Sequence, residues 1–371
     1  MALKGQAPPY SRGGDGRLTL KGGVREVLAA EALHALGVRT SRTLSMIETG
    51  EQLFRGDEPS PTRSSVMVRF SRSHIRFGTF ERLDYLDRTD LIQRLLEHVI
   101  EYYYPAAKGV SDREERHLQF YSELVERTAE LAAQWMSVGF CHAVLNTDNM
   151  SITGESFDYG PYAFIDQYDP KFTAAYFDYA SRYCYRNQPA ICHLNLRMLQ
   201  KPLKRVISET EMTSILDRFE EQYWQFYSQR MLHKLGFESL PEPLASDLIN
   251  QTLDLLNSVT VGYHDFFRSL ATQFSPVWVD EDTTIFDTTM QASDAGAQVL
   301  LEQWRQHYQQ ALKTQSADEL AQMSQRLRQT NPQTVLLRPE IEAIWEPIVA
   351  ENDWAPFYAL LQRIQRPFDV S

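Results

Sequence analysis

The feature that most constrains the fold of this chain is a long amphipathic helix pattern over about residues 112–138. Ser111 and Glu114 have the spacing of a capping box at its start, and Gly139 predicts its end. A polar, irregular stretch follows up to about Pro189. The apolar side chains that recur on one face are Leu118, Tyr121, Leu124, Val125, Leu131 and Trp135. The pattern predicts a helical core with a long loop region directly after its principal helix.

Shorter patterns around this helix predict an α+β architecture. A Gly- and Pro-rich segment, residues 4–23, reads as loop, and apolar positions four residues apart predict a helix over residues 24–37. Alternation over residues 65–70 predicts a strand, and the periodicity of residues 89–104 predicts a helix. The chain beyond the loop region is predicted to be all helical. Its helical patterns cover residues 211–235, 242–273 and 295–329, with Pro276, Pro332 and Pro339 as breaks.

The length of 371 residues exceeds one typical core, so we expect more than one structural unit. The predicted units are an N-terminal lobe over residues 1–108, a helical lobe with the polar loops over 109–235, and a helical region over 236–371. A net charge of −12 argues against a general nucleic-acid binder, because phosphate backbones are held by clustered Lys and Arg. The first 90 residues are nevertheless rich in Arg, which favours a phosphate-bearing ligand near this part.

Three cysteines, an odd and sparse set, suit a reducing compartment, and we expect a cytoplasmic protein. Cys184, Cys192 and His193 lack the spacing of a zinc site, so the thiols are predicted to be buried and inert. No run approaches the roughly 18 apolar residues of a membrane span. We therefore expect neither a membrane nor a nucleic acid as a partner.

The polar loop region contains residue types suited to phosphate chemistry. Asp148 and Asn149 are adjacent, and Asp158 follows nine residues after Asn149, ahead of Tyr159 and Gly160. Mg²⁺ prefers hard oxygen ligands, and phosphoryl or nucleotidyl transfer also needs a carboxylate that accepts a proton. Asn149 and Asp158 are candidate metal ligands, and Asp148 is the candidate acceptor. The structural alternative is that both segments are ordinary turns built from Asx residues and glycine.

Several N-terminal residues are candidates for contacting a nucleotide. Lys4 lies 22 residues before Glu26, a combination that kinases use to hold phosphates, although two solvated charges would give the same sequence. Arg69 and Arg76 bracket a short segment and could grip phosphate oxygens, or could be surface arginines. The flexible loop Gly13-Gly14-Asp15-Gly16-Arg17 could approach a nucleotide closely, but it is not a Walker motif.

Taken together, these segments resemble the selenoprotein O (SelO/YdiU) family. The matching segments are residues 9–17 (PYSRGGDGR), 69–81 (RFSRSHIRFGTFE), 138–142 (VGFCH), 146–151 (NTDNMS), 157–162 (FDYGPY) and 185–190 (YRNQPA). They cover residues 4 to about 200 strongly and the helical tail more loosely. Members of this family look like pseudokinases but act as protein adenylyltransferases.

The resemblance implies a protein-kinase-like two-lobe fold with a truncated N-lobe and a C-terminal helical extension. It implies transfer of AMP from ATP to Ser, Thr or Tyr hydroxyls of proteins, with Mg²⁺ or Mn²⁺ as the metal. By this resemblance Asp148 is the proton acceptor, and Asn149 and Asp158 are metal ligands. The implied nucleotide-binding residues are Lys4, Asp15, Gly16, Glu26, Arg69, Arg76 and Asp158.

The chain departs from the family pattern at both ends. The family has a glycine-rich nucleotide segment before the lysine, whereas this sequence starts three residues ahead of Lys4, and it stops before the family's C-terminal tail. We therefore expect either impaired activity or a longer gene product for which Met1 is a mistaken start. Three hypotheses remain open at this point: a Mg²⁺-dependent protein adenylyltransferase, a kinase-type phosphotransferase, and a non-catalytic remnant.

Overall fold

The computed structural model of the protein describes residues 2–4, 16–56, 58–281, 285–286 and 295–369. Asp15, one of the predicted nucleotide contacts, lies outside these described residues. Helices and small sheets are both present, so the α+β expectation is confirmed.

The N-terminal part is built around an antiparallel sheet in which one central strand pairs with three others. Strand β4 (Thr62–Phe70) pairs with β1 (Ala2–Lys4), β2 (Leu18–Thr19) and β3 (Arg42–Leu53). In this register Lys4 lies opposite Met67 and Ala2 opposite Arg69. Because residues two apart on a strand share a face, the side chains of Lys4 and Arg69 project from the same side of the sheet.

Helix α1 (Leu20–Ala35) covers that side of the sheet. Its fit is close, because a Cβ added at Gly23 would lie 2.5 Å from the Ser65 hydroxyl oxygen. The predicted loop over residues 4–23 was wrong at its end, where β2 and the first turn of α1 lie. The missed signal was Thr19, whose hydroxyl oxygen accepts a hydrogen bond from the Gly22 N–H at 3.1 Å and so caps the helix.

Replacing Thr19 with alanine should destabilise the protein by about 1 kcal/mol, because the α1 N-terminus loses its side-chain cap. Urea unfolding would measure the loss. Thr19→Ser, which keeps the hydroxyl, is the matched control and should be close to wild type. An equal loss in both variants would assign the effect to the methyl group instead.

Strand β3 was not predicted, and its sequence explains why. Most of its side chains are exposed or only half buried, so the alternation typical of a strand on a core is missing. It forms because β4 offers a full row of backbone partners. The predicted strand at 65–70 was correct but short, since β4 begins at Thr62.

The long amphipathic pattern forms helix α5 (Arg113–Ser137). Its cap is Asp112 rather than Ser111: the Asp112 carboxylate accepts from the Glu115 N–H at 2.9 Å, one residue later than the predicted capping box. The shorter helices α2 (Phe77–Tyr85), α3 (Thr89–Tyr103) and α4 (Pro105–Lys108) precede it. Helix α3 matches the prediction for residues 89–104.

In the described part of the chain after the loop region, the regular elements are all helices, joined by turns, with one short 3₁₀ turn over Pro276–Val279. Each long predicted pattern is two helices, since a turn interrupts it. The helices are α6 (Gln188–Leu203), α7 (Glu209–Leu216), α8 (Phe219–Lys234), α9 (Leu244–Ser258), α10 (Tyr263–Gln273), α11 (Ala295–Lys313), α12 (Ala317–Thr330), α13 (Arg338–Glu351) and α14 (Ala355–Ile364). Pro339 lies in the first turn of α13 and so begins a helix rather than separating two.

The last two helices return to the N-terminal part. Lys21 of α1 forms an ion pair with Glu342 of α13 at 2.7 Å, and Arg63 of β4 donates to the Ile348 carbonyl oxygen at 2.9 Å. Helix α8 packs along α5. Among the described residues, no helix combines the length and apolar character needed to cross a bilayer.

Candidate functional site

The polar loops after α5 are held between two short strands. Strand β5 (Phe140–Cys141) pairs with β6 (Ala163–Phe164), and the chain between them carries both candidate segments. The first is a 3₁₀ turn over Thr147–Asn149. The second contains Asp158, which has a φ of 67°, a left-handed conformation that costs a non-glycine residue roughly 1–3 kcal/mol.

Contacts on both sides hold Asp158 in this conformation. On one side, the buried ring of His142 hydrogen-bonds through Nε2 to the Phe157 carbonyl oxygen at 2.9 Å. On the other, the Tyr159 hydroxyl hydrogen-bonds to the Thr40 hydroxyl. Such strain persists only where the surroundings determine the backbone, so these contacts fix the direction of the Asp158 carboxylate.

The carboxylate of Asp158 meets the predicted lysine–glutamate pair. Lys4 Nζ contacts Glu26 Oε2 at 2.7 Å and also hydrogen-bonds to Asp158 Oδ1. The Glu26 side chain is only 2% exposed. The alternative of two solvated charges is therefore excluded for Lys4 and Glu26, and residues from β1, α1 and the loop after α5 converge at one point.

Two arginines complete this charged cluster. Arg69 Nη1 lies 3.2 Å from Glu26 Oε1 and 3.7 Å from Asp158 Oδ1, and its side chain is 7% exposed, so Arg69 is not a surface arginine. Arg76 Nη1 lies 3.5 Å from Asp158 Oδ2. Both guanidinium groups lie over the Phe157 ring, at 5.0 and 4.9 Å from its centroid. This arrangement suits two arginines that are oriented to grip phosphate oxygens.

The cluster controls the charge of Asp158. Burial disfavours the ionised form, but Lys4, Arg69 and Arg76 outweigh it and hold the pKa of the carboxyl well below its ordinary value. Burial likewise disfavours the charged form of Lys4, and Glu26 and Asp158 outweigh it, so the pKa of the ammonium is raised. At neutral pH both groups are therefore ionised.

Arg76 also joins the two loops. The same Nη1 atom that contacts Asp158 donates to the Asp148 carbonyl oxygen at 2.8 Å. Asp148 is exposed, so its carboxylate is accessible to a bound substrate. Next to it, the Thr147 hydroxyl donates to a Glu81 carboxylate oxygen at 2.6 Å, which anchors the turn to helix α2.

Gly78 is a site residue that the sequence analysis did not assign. A Cβ built on Gly78 would lie 2.0 Å from Asp148 Oδ1, so the missing side chain makes room for that carboxylate. The sequence signal was the Gly78-Thr79-Phe80-Glu81 run, within one of the segments that carry the family resemblance. Only the fold showed that it packs on the Asp148 turn.

The oxygen donors available here fit a magnesium ion. The Asn149 amide nitrogen donates to the Val144 carbonyl oxygen at 2.8 Å, which leaves its amide oxygen as the atom available to a cation. Asp158 contributes carboxylate oxygens in the same loop region. Among the described residues, no group of three or more His, Cys, Asp or Glu side chains could hold a metal alone. Mg²⁺ is commonly held by one or two protein oxygens together with substrate phosphates, so this sparse set suits it.

Eight of the nine predicted site residues are described. Lys4, Glu26, Arg69, Arg76 and Asp158 form one cluster, and Asp148 adjoins it through Arg76. Asn149 lies in the same turn as Asp148. Of the additional loop residues, Gly16 has a positive φ of 68°, which favours glycine there, and Asp15 lies outside the described part of the chain.

Comparison with known proteins identifies the family to which the chain belongs. A family model described as "Protein adenylyltransferase SelO" matches residues 1–365. The protein nucleotidyltransferase YdiU of Gloeobacter violaceus is 57% identical over 363 residues, covering 98% of this chain and 74% of that protein. The protein of the same name from Trichormus variabilis is 58% identical over 357 residues, covering 96% of this chain and 73% of that protein. The one from Salmonella newport is 33% identical over 368 residues, covering 99% and 73%. This chain belongs to the SelO family of protein adenylyltransferases.

Proposed function

We propose that this protein transfers AMP from ATP to Ser, Thr or Tyr hydroxyls of proteins, with Mg²⁺ or Mn²⁺ as the metal. In the reaction, the acceptor oxygen forms a bond to the α-phosphorus, the bond to the β-phosphate bridging oxygen breaks, and pyrophosphate leaves. The hydroxyl proton passes to Asp148. The observation that carries the proposal is the convergence of Lys4, Glu26, Arg69 and Asp158 beside the Asp148 turn.

Each residue has a defined part in this proposal. Lys4, Arg69 and Arg76 supply positive charge for the phosphate oxygens, and Glu26 orients Lys4 and Arg69 by contacting both. Asp158 and the Asn149 amide oxygen would hold the metal, which neutralises charge on the phosphates when bound. Gly16 and Asp15 are proposed to approach the nucleotide through the backbone of their loop.

The wider architecture belongs to the same proposal. We infer a kinase-like two-lobe arrangement in which residues 1–108 contact the nucleotide, residues 109–235 carry the catalytic loops, and residues 236–371 form a helical extension. The contacts of α13 with Lys21 and Arg63 support a close association of the first and last regions. A cytoplasmic location is proposed from the sparse, buried cysteines.

A kinase-type phosphotransferase is the second candidate function. The contact between Lys4 and Glu26 at 2.7 Å favours it, because protein kinases use a lysine–glutamate pair to hold ATP phosphates. The two reactions differ in which phosphorus the acceptor oxygen attacks. A kinase would leave ADP and move the γ-phosphate.

Labelled ATP separates the two reactions. We expect label from the α-phosphate, and none from the γ-phosphate, to appear on acceptor proteins or on the enzyme itself. Asp148→Asn should lose at least about 100-fold in the rate of labelling, within the range of general-base catalysis, with an unchanged unfolding midpoint because the side chain is exposed. Label from the γ-phosphate alone would establish the phosphotransferase, and no transfer from either position would contradict both candidates.

A further inference from the structure

A cavity of about 600 Å³ lies among helices α5, α6, α8 and α9, and none of its lining residues belongs to the nucleotide cluster. Aromatic rings form much of its wall. Trp224 is half exposed, and its ring lies 5.1 Å from the ring of Tyr223 and 5.8 Å from that of Tyr227. Tyr168 and Phe219 add two further rings. Concave aromatic surfaces of this size are typical of small-ligand sites.

Two tyrosine hydroxyls in this wall have no hydrogen-bond partner in the described part of the chain. Tyr223 and Tyr227 are 5% and 3% exposed, and in the described part of the chain neither phenol oxygen has a hydrogen-bond partner. The adjacent Tyr263 shows the usual situation, since its hydroxyl donates to the Ser137 carbonyl oxygen at 3.0 Å. Neither oxygen is fully enclosed by protein, so both hydroxyls are available to a ligand that carries a polar group into the cavity.

The charges at the rim indicate the sign of that group. Asp217 and Glu220 line the cavity, and neither forms an ion pair with another described residue. Among the described residues that line the cavity, Arg186 is the one arginine, which leaves two acidic groups against one basic group. Burial lowers the pKa of His193, with a further contribution from Arg197, so this imidazole adds no positive charge at neutral pH.

We propose that this cavity binds an organic cation with an ammonium or guanidinium group. Aromatic faces attract such a group through cation–π interactions, and the hydroxyls of Tyr223 and Tyr227 accept its hydrogen bonds. Asp217 and Glu220 attract its charge from the rim. The cation can come from a free polyamine or from a Lys or Arg side chain of a bound protein. Its binding does not depend on the proposed transfer reaction.

Agmatine, which carries both cationic groups, is the probe, and N-butylurea is its neutral analogue of similar shape. Calorimetric titration of the full chain should give saturable binding of agmatine and at least about tenfold weaker binding of butylurea. Trp224 provides a second readout, since agmatine should change the protein fluorescence and Trp224→Phe should remove that change. No saturable binding of agmatine, or equal binding of the neutral analogue, would overturn the proposal.

Variants of the charged residues at the rim should change the affinity for agmatine in opposite directions. A merely structural role of these residues would not produce this result. Asp217→Asn with Glu220→Gln should weaken agmatine binding by about fivefold or more, whereas Arg186→Gln should tighten it. Tyr227→Phe keeps the ring and should weaken binding severalfold through the lost acceptor. Weaker binding in Arg186→Gln would contradict the charge argument.

Parallel titrations with spermidine and with a lysine-containing peptide identify the source: tighter binding of spermidine supports a free polyamine, and tighter binding of the peptide supports a side chain.

Discussion

Replacing Asp158 with alanine should abolish AMP transfer while the protein still folds. The substitution removes the proposed carboxylate ligand of the metal, leaves Lys4 and Arg69 with Glu26 as their remaining carboxylate partner, and leaves Arg76 with the Asp148 carbonyl oxygen. Loss of a partner for these charges should cost about 1–3 kcal/mol of unfolding free energy. Rates of α-phosphate labelling and urea unfolding of the same preparations would measure both effects. Retained transfer would remove Asp158 from the site.

Asp158→Asn is the matched control for this experiment. Asparagine tolerates the left-handed backbone of residue 158 better than alanine does, so it separates the loss of charge from backbone strain. It should be nearly as inactive as Asp158→Ala but more stable. An active Asp158→Asn variant would show that the carboxylate charge is not required.

The pH dependence of stability provides an independent check on the same charge. The pKa of Asp158 is lower in the folded protein than the ordinary value of about 3.9. The ionised carboxylate therefore stabilises the fold fully above about pH 4, and this contribution is lost as the pH falls through the folded-state pKa. The difference in unfolding free energy between wild type and Asp158→Asn should stay constant in the neutral range and narrow below about pH 4.

Gly78→Ala should impair catalysis far more than it impairs stability. The new Cβ would lie 2.0 Å from Asp148 Oδ1, and the exposed Asp148 side chain can move away without disturbing the core. A displacement of about 1 Å in a reacting group can cost on the order of 100-fold in rate. We expect a loss of this size in kcat, with little change in the KM for ATP.

Gly56→Ala is the matched control, because a Cβ at Gly56 meets no atom within 4 Å. It should leave both rate and stability near wild type. Normal kcat in Gly78→Ala would show that the position of the Asp148 carboxylate is unimportant. A large fall in the unfolding midpoint would show instead that Gly78 is needed for folding.

The order of the site residues along the chain and the pairing of Lys4 with Glu26 could be predicted, but the other contacts among them could not. Asp148, Asn149 and Asp158 stand out in sequence because Asp and Asn cluster in a loop after a long helix. The kinase-like combination predicted Lys4 with Glu26, but the contact of Lys4 with Asp158 depends on the register of β1 against β4, which no pattern in three residues can specify. The bridge from Arg76 to both loops depends in the same way on tertiary packing.

The errors in secondary structure have physical causes. Strand β3 lacks apolar alternation because most of its side chains face solvent, and its partner β4 supplies the hydrogen bonds that stabilise it. The long helical patterns are interrupted where the chain turns, as between α9 and α10 at residues 259–262, because apolar spacing continues across such a short turn. Helix α5 was predicted well because a 25-residue amphipathic pattern has few alternatives.

In the proposed reaction, the Asp148 turn and the Asp158 cluster together direct attack on the α-phosphorus of ATP. Intact-protein mass spectrometry of an acceptor protein, incubated with the enzyme, ATP and Mg²⁺, tests this most directly. We predict an adduct with the mass of an adenylyl group, formed with release of pyrophosphate and absent with Asp148→Asn. An adduct with the mass of a phosphoryl group, or an adenylyl adduct that persists with Asp148→Asn, would contradict the account.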